Sequence, residues 1–279
     1  MFQNVLVGVD GGANGRDAIA LARMLADPEA KLTLAHVRPG LLHPLHAITP
    51  ALIEEERKAS HELLEHERAA AQLTAELVSV VSSTHARGLH EQAEEQGAEL
   101  LVVGSSSRGP FRRAMLEDDT RASLNGAPCA VAVSAVGLAA PSSGTLTIGV
   151  GYDGSDESRT ALAAARALAE RLGASLRAMQ VVGLPTFAFG IVPPITGDGV
   201  EELLAEATAE LEKLDGLEGR AVYGLVGEEL ASFGDELDLL VVGSRGYGPV
   251  QRLVLGSTSN YLQRHARCSL LVLPRGGRE

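Results

Sequence analysis

Residues 5–12 read Val-Leu-Val-Gly-Val-Asp-Gly-Gly, and residues 148–155 read Ile-Gly-Val-Gly-Tyr-Asp-Gly-Ser. An Ala/Leu-rich segment follows each stretch, so each is interpreted as a strand, a tight turn and the start of a helix. A second matching pair lies later, where Leu-Leu-Val-Val-Gly-Ser occupies 100–105 and again 239–244. Self-similarity of this kind indicates one supersecondary arrangement written twice.

The spacing of the two copies indicates two tandem domains. Cys129 and Cys268 are 139 residues apart, as are the glycines that end the two Leu-Leu-Val-Val-Gly stretches. The short apolar runs do not alternate with polar residues, which is typical of parallel strands covered by helices on both faces. Residues 138–144 are small, polar and Pro/Gly-containing, as in a linker. We therefore predict an α/β chain with domains at 1–139 and 140–279.

Composition and charge narrow the class of protein. Hydrophobic residues make up 45% of the 279-residue chain, and the formal net charge is −12. The negative charge opposes non-specific binding to nucleic acid or anionic membranes, and favours small-molecule or protein partners. No stretch resembles a signal peptide or a membrane span, so we expect a soluble cytoplasmic protein. Two cysteines are too few for a disulfide framework, so we expect reduced, structural thiols.

The second copy carries a glycine pattern suited to phosphate. Gly243 and Gly246 follow a predicted strand, and Gly256 precedes a predicted helix that begins with Ser257 and Thr258. Glycines allow main-chain N–H groups to approach anionic oxygens, and a helix N-terminus offers unpaired donors and a favourable dipole. Turn and helix-start glycines that hold no ligand remain the alternative.

On these residues the second half resembles a universal stress protein domain of the ATP-binding class, whose signature is G-x2-G-x9-G followed by Ser or Thr. The whole chain resembles two such domains in tandem. The resemblance implies that each domain is a five-stranded parallel sheet flanked by helices, which is a Rossmann-like fold of the adenine nucleotide alpha hydrolase-like type. It also implies that the two domains pair through their last strands, as an intramolecular pseudo-dimer.

The resemblance further implies a role for each site residue. Asp153, after the first strand of this half, would lie beside the adenosine, and the main chain of Val181, after the second strand, would meet the adenine. Gly243 would lie near the ribose. The phosphates, usually with a divalent ion such as Mg²⁺, would contact the remaining residues, namely Gly246, Gly256, Ser257 and Thr258, with Arg245 as an assisting cation. No catalytic residue and no protein metal ligand is assigned.

The first copy departs from this signature. At the constant offset its Ser107, Glu117 and Asp118 stand at the positions of Gly246, Gly256 and Ser257. Carboxylates at a phosphate position repel the ligand by roughly 1 kcal/mol per contact in water and about 4 kcal/mol near a partly buried surface. We expect no ATP in the first half, which would serve instead as a packing partner.

Three further interpretations concern the first half. The charged pattern over 54–77 predicts one long amphipathic helix. Asp17 is interpreted as a first-turn helix acid favoured by the dipole. His36, at the end of a strand, is expected to have a core or structural role. In the second half, Pro/Gly-rich residues 184–199 predict a loop.

These features favour a nucleotide-binding regulatory or stress-response protein that acts on an unknown protein partner. An ATP-using transferase of related architecture and a ligand-free scaffold are the alternatives. The sequence supplies no general base or activated nucleophile, so we do not predict an enzyme. Whether chains also form a homodimer is left open.

Overall fold

The computed structural model describes residues 2–39, 50–105, 125–140, 144–183, 197–244, 253 and 256–274. Contacts group the described residues up to 140 with Leu253 as one unit, and residues 144–244 with 256–274 as another. Leu253 therefore belongs to the first unit, although it comes from the second copy of the repeat. Its N–H donates to the carbonyl of Ala127 at 2.9 Å, and its carbonyl accepts from the N–H of Gly126 at 2.8 Å.

The first unit is a parallel sheet of five strands covered by helices. The strands are β1 (Phe2–Gly8), β2 (Ala26–Pro39), β3 (Glu76–Ser82), β4 (Leu100–Gly104) and β5 (Ala130–Ser134), in the order β3-β2-β1-β4-β5. The described helices are α1 (Ala13–Leu25), α2 (Pro50–Ala70) and α3 (His85–Glu95).

The second unit repeats this topology. Its strands are β6 (Thr147–Gly151), β7 (Ser175–Gly183), β8 (Glu218–Gly224), β9 (Leu239–Gly243) and β10 (Ser269–Leu273), in the order β8-β7-β6-β9-β10. Its described helices are α4 (Asp156–Leu172), α5 (Gly197–Glu212), α6 (Val226–Gly234) and α7 (Ser257–His265). The prediction of an α/β fold with two five-stranded parallel sheets is confirmed.

Burial explains why apolar and polar residues do not alternate along these strands. All five residues of β5 and of β10 are buried, as are the first four of β4 and of β9. Strands covered on both faces are largely apolar, with Ser134 and Ser269 as the polar exceptions at strand ends, and each fully buried Val or Leu contributes about 1.5–3 kcal/mol. Both cysteines are buried free thiols, and burial raises the pKa of each to about 12, as expected of structural residues.

Strand β3 in the first sheet and strand β8 in the second are edge strands, and their sequences are more polar than those of β4 and β9. Within the described part of the chain, each of them pairs with one strand only. Glu76 of β3 forms an ion pair with Lys31 of β2 at 3.0 Å, and Glu218 of β8 forms one with Arg177 of β7 at 3.1 Å. A charged pair therefore lies at one edge of each sheet.

The predicted helix over 54–77 is wrong at its C-terminal end. Helix α2 ends at Ala70, Gln72 has a left-handed φ of 53°, and β3 begins at Glu76. Residues 76–82 read Glu-Leu-Val-Ser-Val-Val-Ser, a β-branched run that fits a half-buried strand better than a helix. In the second unit α5 begins at Gly197, inside the predicted loop, and residues 184–196 lie outside the described residues.

The interpretation of Asp17 is also wrong. Asp17 lies beyond the first turn of α1, and only 3% of it is exposed. Its carboxylate accepts hydrogen bonds from the N–H groups of Gly137 and Ala139, both at 2.8 Å. Two amide donors compensate the burial of the charge, so Asp17 fastens the segment after β5 to α1.

Candidate functional site

The candidate site lies at the carboxyl ends of β6, β7 and β9 in the second unit. Strand β6 pairs with β7 on one side and with β9 on the other, so the chain order reverses there. In open parallel sheets such a reversal leaves a crevice beyond the strand ends, where ligands bind. Of the residues predicted from the sequence, Asp153 follows β6, and Val181 and Gly243 lie in the last residues of β7 and β9.

Asp153 occupies a tight turn directly after β6. Its Oδ1 accepts hydrogen bonds from the main-chain N–H of Ser155 at 3.1 Å and from the Ser155 hydroxyl at 2.5 Å. Gly154 adopts a φ of +74°, which an L side chain rarely adopts. Asp10 holds the equivalent turn of the first unit by accepting from the N–H of Gly12 at 2.9 Å. The carboxylate of Asp153 is thus positioned by its own turn and exposed at the crevice.

Val181 lies inside β7 and not after it, which corrects the prediction, because β7 continues to Gly183. The carbonyl of Met179 accepts from the N–H of Tyr152 at 2.9 Å, at the end of β6. Alternate residues of a parallel strand direct their main-chain groups to the same neighbour, so Val181 points its N–H and C=O past the end of β6. One donor and one acceptor side by side suit the edge of a planar base.

Gly243 is required by packing. A Cβ at this position would lie 2.7 Å from both the Cβ and the main-chain oxygen of Glu157 in α4. Gly104 in the first unit meets the main chain of Asn14 in α1 in the same way. Since both copies need this glycine for helix–strand approach, it does not distinguish a ligand site from an empty one. Its predicted place near a ribose stays a prediction.

Gly256 is the N-cap residue of α7, with a φ of −71° and a ψ of 170°. In the described part of the chain no side chain caps this helix, so its first N–H groups lack a side-chain acceptor. Ser257 is exposed and Thr258 half-buried, which places two hydroxyls beside those amides. The start of α7 therefore combines the donors that bind anions elsewhere. The remaining predicted residues, Arg245 and Gly246, and their first-half counterparts Ser107, Glu117 and Asp118, lie outside the described residues.

Three polar side chains next to predicted site residues were missed by the sequence reasoning. The buried oxygens Oε1 of Gln180, Oγ of Ser244 and Oδ1 of Asn260 are among those in the described residues that have no hydrogen-bond partner. Gln180 precedes Val181, and Asn260 lies one turn after Gly256. Buried unpaired oxygens of this kind are rare in folded proteins and suit a polar ligand or water. Their position next to predicted site residues is the feature of the sequence that could have identified them.

No group of three or more His, Cys, Asp or Glu side chains in the described ranges could hold a metal ion. The pair closest to a nucleophile and base is Ser60 with His36 in the first unit, where Oγ lies 2.8 Å from Nδ1. Ser60 is 2% exposed and also bonded to Ser79, so no substrate reaches it.

Comparison with known proteins adds a family. A model described as the universal stress protein family matches residues 1–134 and 145–274. A universal stress protein of Thermus aquaticus is 33% identical over 141 residues, which is 46% of this chain and 97% of that protein. A universal stress protein of Mycolicibacterium smegmatis is 26% identical over 288 residues, 96% of either chain.

A solved structure supports the fold. The crystal structure of a universal stress protein from Archaeoglobus fulgidus superposes with a TM-score of 0.63 at 18% identity, covering 99% of this chain and 97% of that one. At this identity the likeness bears on the fold alone. Within the described segments, no helix has the length and apolar character needed to cross a membrane.

Proposed function

The chain belongs to the universal stress protein family, and from this premise we propose that its second half binds ATP. ATP there would tune the conformation or partner binding of a cytoplasmic stress-response protein. Turnover would be slow or absent, because binding is all that the site residues provide. The partner would be another protein, not nucleic acid or membrane.

The uncapped start of α7 is the observation that carries this proposal. Gly256 opens the helix, and its first amides have no capping side chain in the described residues. A triphosphate supplies the negative oxygens that such a helix start favours. In the same orientation the main chain of Val181 would meet the adenine, and Asp153 would lie beside the adenosine.

Mg²⁺ would enter with the nucleotide. The described residues hold no protein cluster of their own for a cation, so phosphate oxygens would supply most of its ligands. The hydroxyls of Ser257 and Thr258 are hard oxygen donors of the type Mg²⁺ prefers. When bound, the ion would neutralise part of the phosphate charge.

The first half would bind no ATP. Glu117 and Asp118 replace a glycine and a serine of the signature, and their charges would repel phosphate. In this proposal the first half serves as the packing partner of a pseudo-dimer.

Nucleotide content tests the proposal. Purified chain, denatured to release bound ligand, is expected to yield about one ATP per chain, and titration of the stripped protein is expected to saturate at about one equivalent. Gly256→Glu places a carboxylate at the start of α7 and is expected to abolish binding. Ala163→Glu, which adds the same charge on an exposed position of α4, is the matched control and is expected to retain binding.

The alternatives predict different outcomes. Two ATP per chain would contradict the loss of the first site, and none would favour a ligand-free scaffold. Rapid ATP consumption that depends on a second substrate would favour a transferase.

A further inference from the structure

Helix α2 is held to the first sheet by a largely polar face. Its buried residues are Ser60, Leu64 and Glu67, so two of the three are polar. In α5, the corresponding helix of the second unit, the described buried residues are Ala207 and Leu211, both apolar. Apolar burial contributes to docking at any pH, whereas polar contacts depend on the protonation of their members.

Four side chains from three elements form one hydrogen-bonded chain under α2, which we call the His36 chain. Nδ1 of His36 in β2 lies 2.8 Å from Oγ of Ser60 in α2. The Ser60 hydroxyl donates to Oγ of Ser79 in β3 at 2.8 Å, and Nε of Arg38 donates to the same oxygen at 2.9 Å. The His36 chain therefore ties α2 to the two outer strands at once.

The proton count in the His36 chain determines the state of the imidazole. Ser60 has a single proton; when it is directed to Ser79, Nδ1 of His36 carries the ring proton and donates to Ser60, and the roles of the two ring nitrogens follow the tautomer. In that tautomer of the neutral ring, Nε2 carries no proton. Protonation at Nε2 adds a second positive charge next to Arg38, on the same face of β2.

The surroundings of His36 oppose that charge. His36 is half-buried, and burial lowers its pKa, with the positive charges of His85 in α3 and of Arg38 acting in the same direction. Asp10, at the end of β1, acts in the opposite direction. From α2 itself, Glu56 lies 3.8 Å from Arg38. Together these effects keep the pKa of His36 below its ordinary value, so the neutral ring is favoured while α2 is docked.

The second unit lacks this arrangement. Val7 pairs with Leu34 and Val150 pairs with Ala178, so Gln180 occupies the place of His36. By the same register, Val182 and Ala221 replace Arg38 and Ser79. The fold therefore does not require the His36 chain, and it is an addition particular to the first half.

We propose that the His36 chain is an acid-sensitive latch that holds α2 on the first sheet near neutral pH and releases it in mild acid. Once α2 opens, His36 is solvated and titrates near the ordinary value of about 6.5. Opening then takes up a proton that the docked state disfavours, so the open fraction rises as the pH falls below that value. This behaviour is independent of ATP binding in the second half.

Hydrogen exchange tests the latch on the full chain. The protection factors of residues 50–70, corrected for intrinsic exchange rates, are measured at about pH 7.5 and at about pH 5.5. Uptake of one proton on opening can change the opening equilibrium by at most about tenfold per pH unit. We expect protection of this segment to fall at least about threefold while that of residues 156–172 stays level. His36→Gln, the residue found at the equivalent position of β7, is expected to remove the pH dependence. His61→Gln, on the exposed side of α2, is expected to keep it.

A pH dependence that survives His36→Gln, or its absence from the unaltered chain, would overturn the proposal. Should His36→Gln open α2 at every pH, the imidazole proton resonances of the unaltered chain provide the second measurement. A His36 titration midpoint above about 6.5 would contradict the latch, because the docked state would then favour the charged ring.

Discussion

At the scale of single residues, Gly104 and Gly243 show how one glycine can serve packing in both halves. The main chains of α1 and α4 approach these positions too closely for a side chain. We predict that Gly104→Ala and Gly243→Ala each lower the free energy of unfolding by about 1–3 kcal/mol, because a helix backbone cannot give way as a side chain can.

Chemical denaturation of the two variants measures this effect. Gly183→Ala is the matched control, since its Cβ would meet Val226 at an ordinary 3.5 Å. Equal stability of Gly104→Ala and the unaltered chain would show that this glycine is not needed for packing.

Asp17 carries the second residue-scale prediction. Asp17→Asn keeps the shape but turns an N–H group toward one of the two amides that the carboxylate accepts from, at Gly137 and Ala139. We expect a loss of about 1–3 kcal/mol of stability, because a buried amide is left unsatisfied. Urea unfolding monitors the change, with Asp156→Asn, at an exposed position of α4, as the control. A loss of the same size in both variants would contradict the role of Asp17 in holding residues 137–139 to α1.

At the scale of elements, helix α4 has a side-chain cap and α1 has none. Ser155 precedes α4, and its Oγ accepts from the N–H of Ser158 at 3.2 Å, whereas Gly12 precedes α1. We predict that Ser155→Ala lowers stability by about 1 kcal/mol through the lost cap. Thermal unfolding followed by circular dichroism measures this, and Ser232→Ala, an exposed serine within α6, is expected to show no loss.

The elements also show where sequence reasoning succeeds and fails. Stretches such as Leu100–Gly104 were predictable, because strands buried on both faces are largely apolar. The C-terminal end of α2 was missed because the helix-compatible residues Ala-Gln-Leu continue past it, while the break depends on the backbone of Gln72. The role of Asp17 depends on Gly137 and Ala139, more than a hundred residues away, and no local pattern reveals such a pair.

At the scale of the whole molecule, the proposed asymmetry between halves predicts a selective effect of ATP. A ligand that binds only the native second unit stabilises that unit by about 2.7 kcal/mol at a hundred times its dissociation constant. We predict that ATP with Mg²⁺ raises the unfolding temperature of the second unit and leaves that of the first unchanged. Hydrogen exchange on heating separates the two, since β4 and β9 report on different units. Equal protection of both strands would contradict the asymmetry.

The candidate site was partly predictable at this scale. Residues that follow strands, such as Asp153, could be placed from the chain order alone because parallel strands end at one edge. Val181 was placed after its strand, whereas β7 continues through Val181 and Val182 to Gly183. Gln180 and Asn260 went unnoticed because an unpaired buried oxygen is a property of three-dimensional surroundings. Arg245 and Gly246 stay predictions.

The ion pairs on β3 and β8 have a consequence for how concentrated solutions of the chain behave. A foreign strand that docked along either edge would have to strip water from Glu76 or Glu218, so filament growth from these edges is disfavoured. Together with the net charge of −12, this keeps molecules apart by long-range repulsion at low ionic strength. Salt shortens the range of that repulsion, because the Debye length falls from about 10 Å at 0.1 M to about 3 Å at 1 M. Colloidal stability therefore falls as the salt concentration rises.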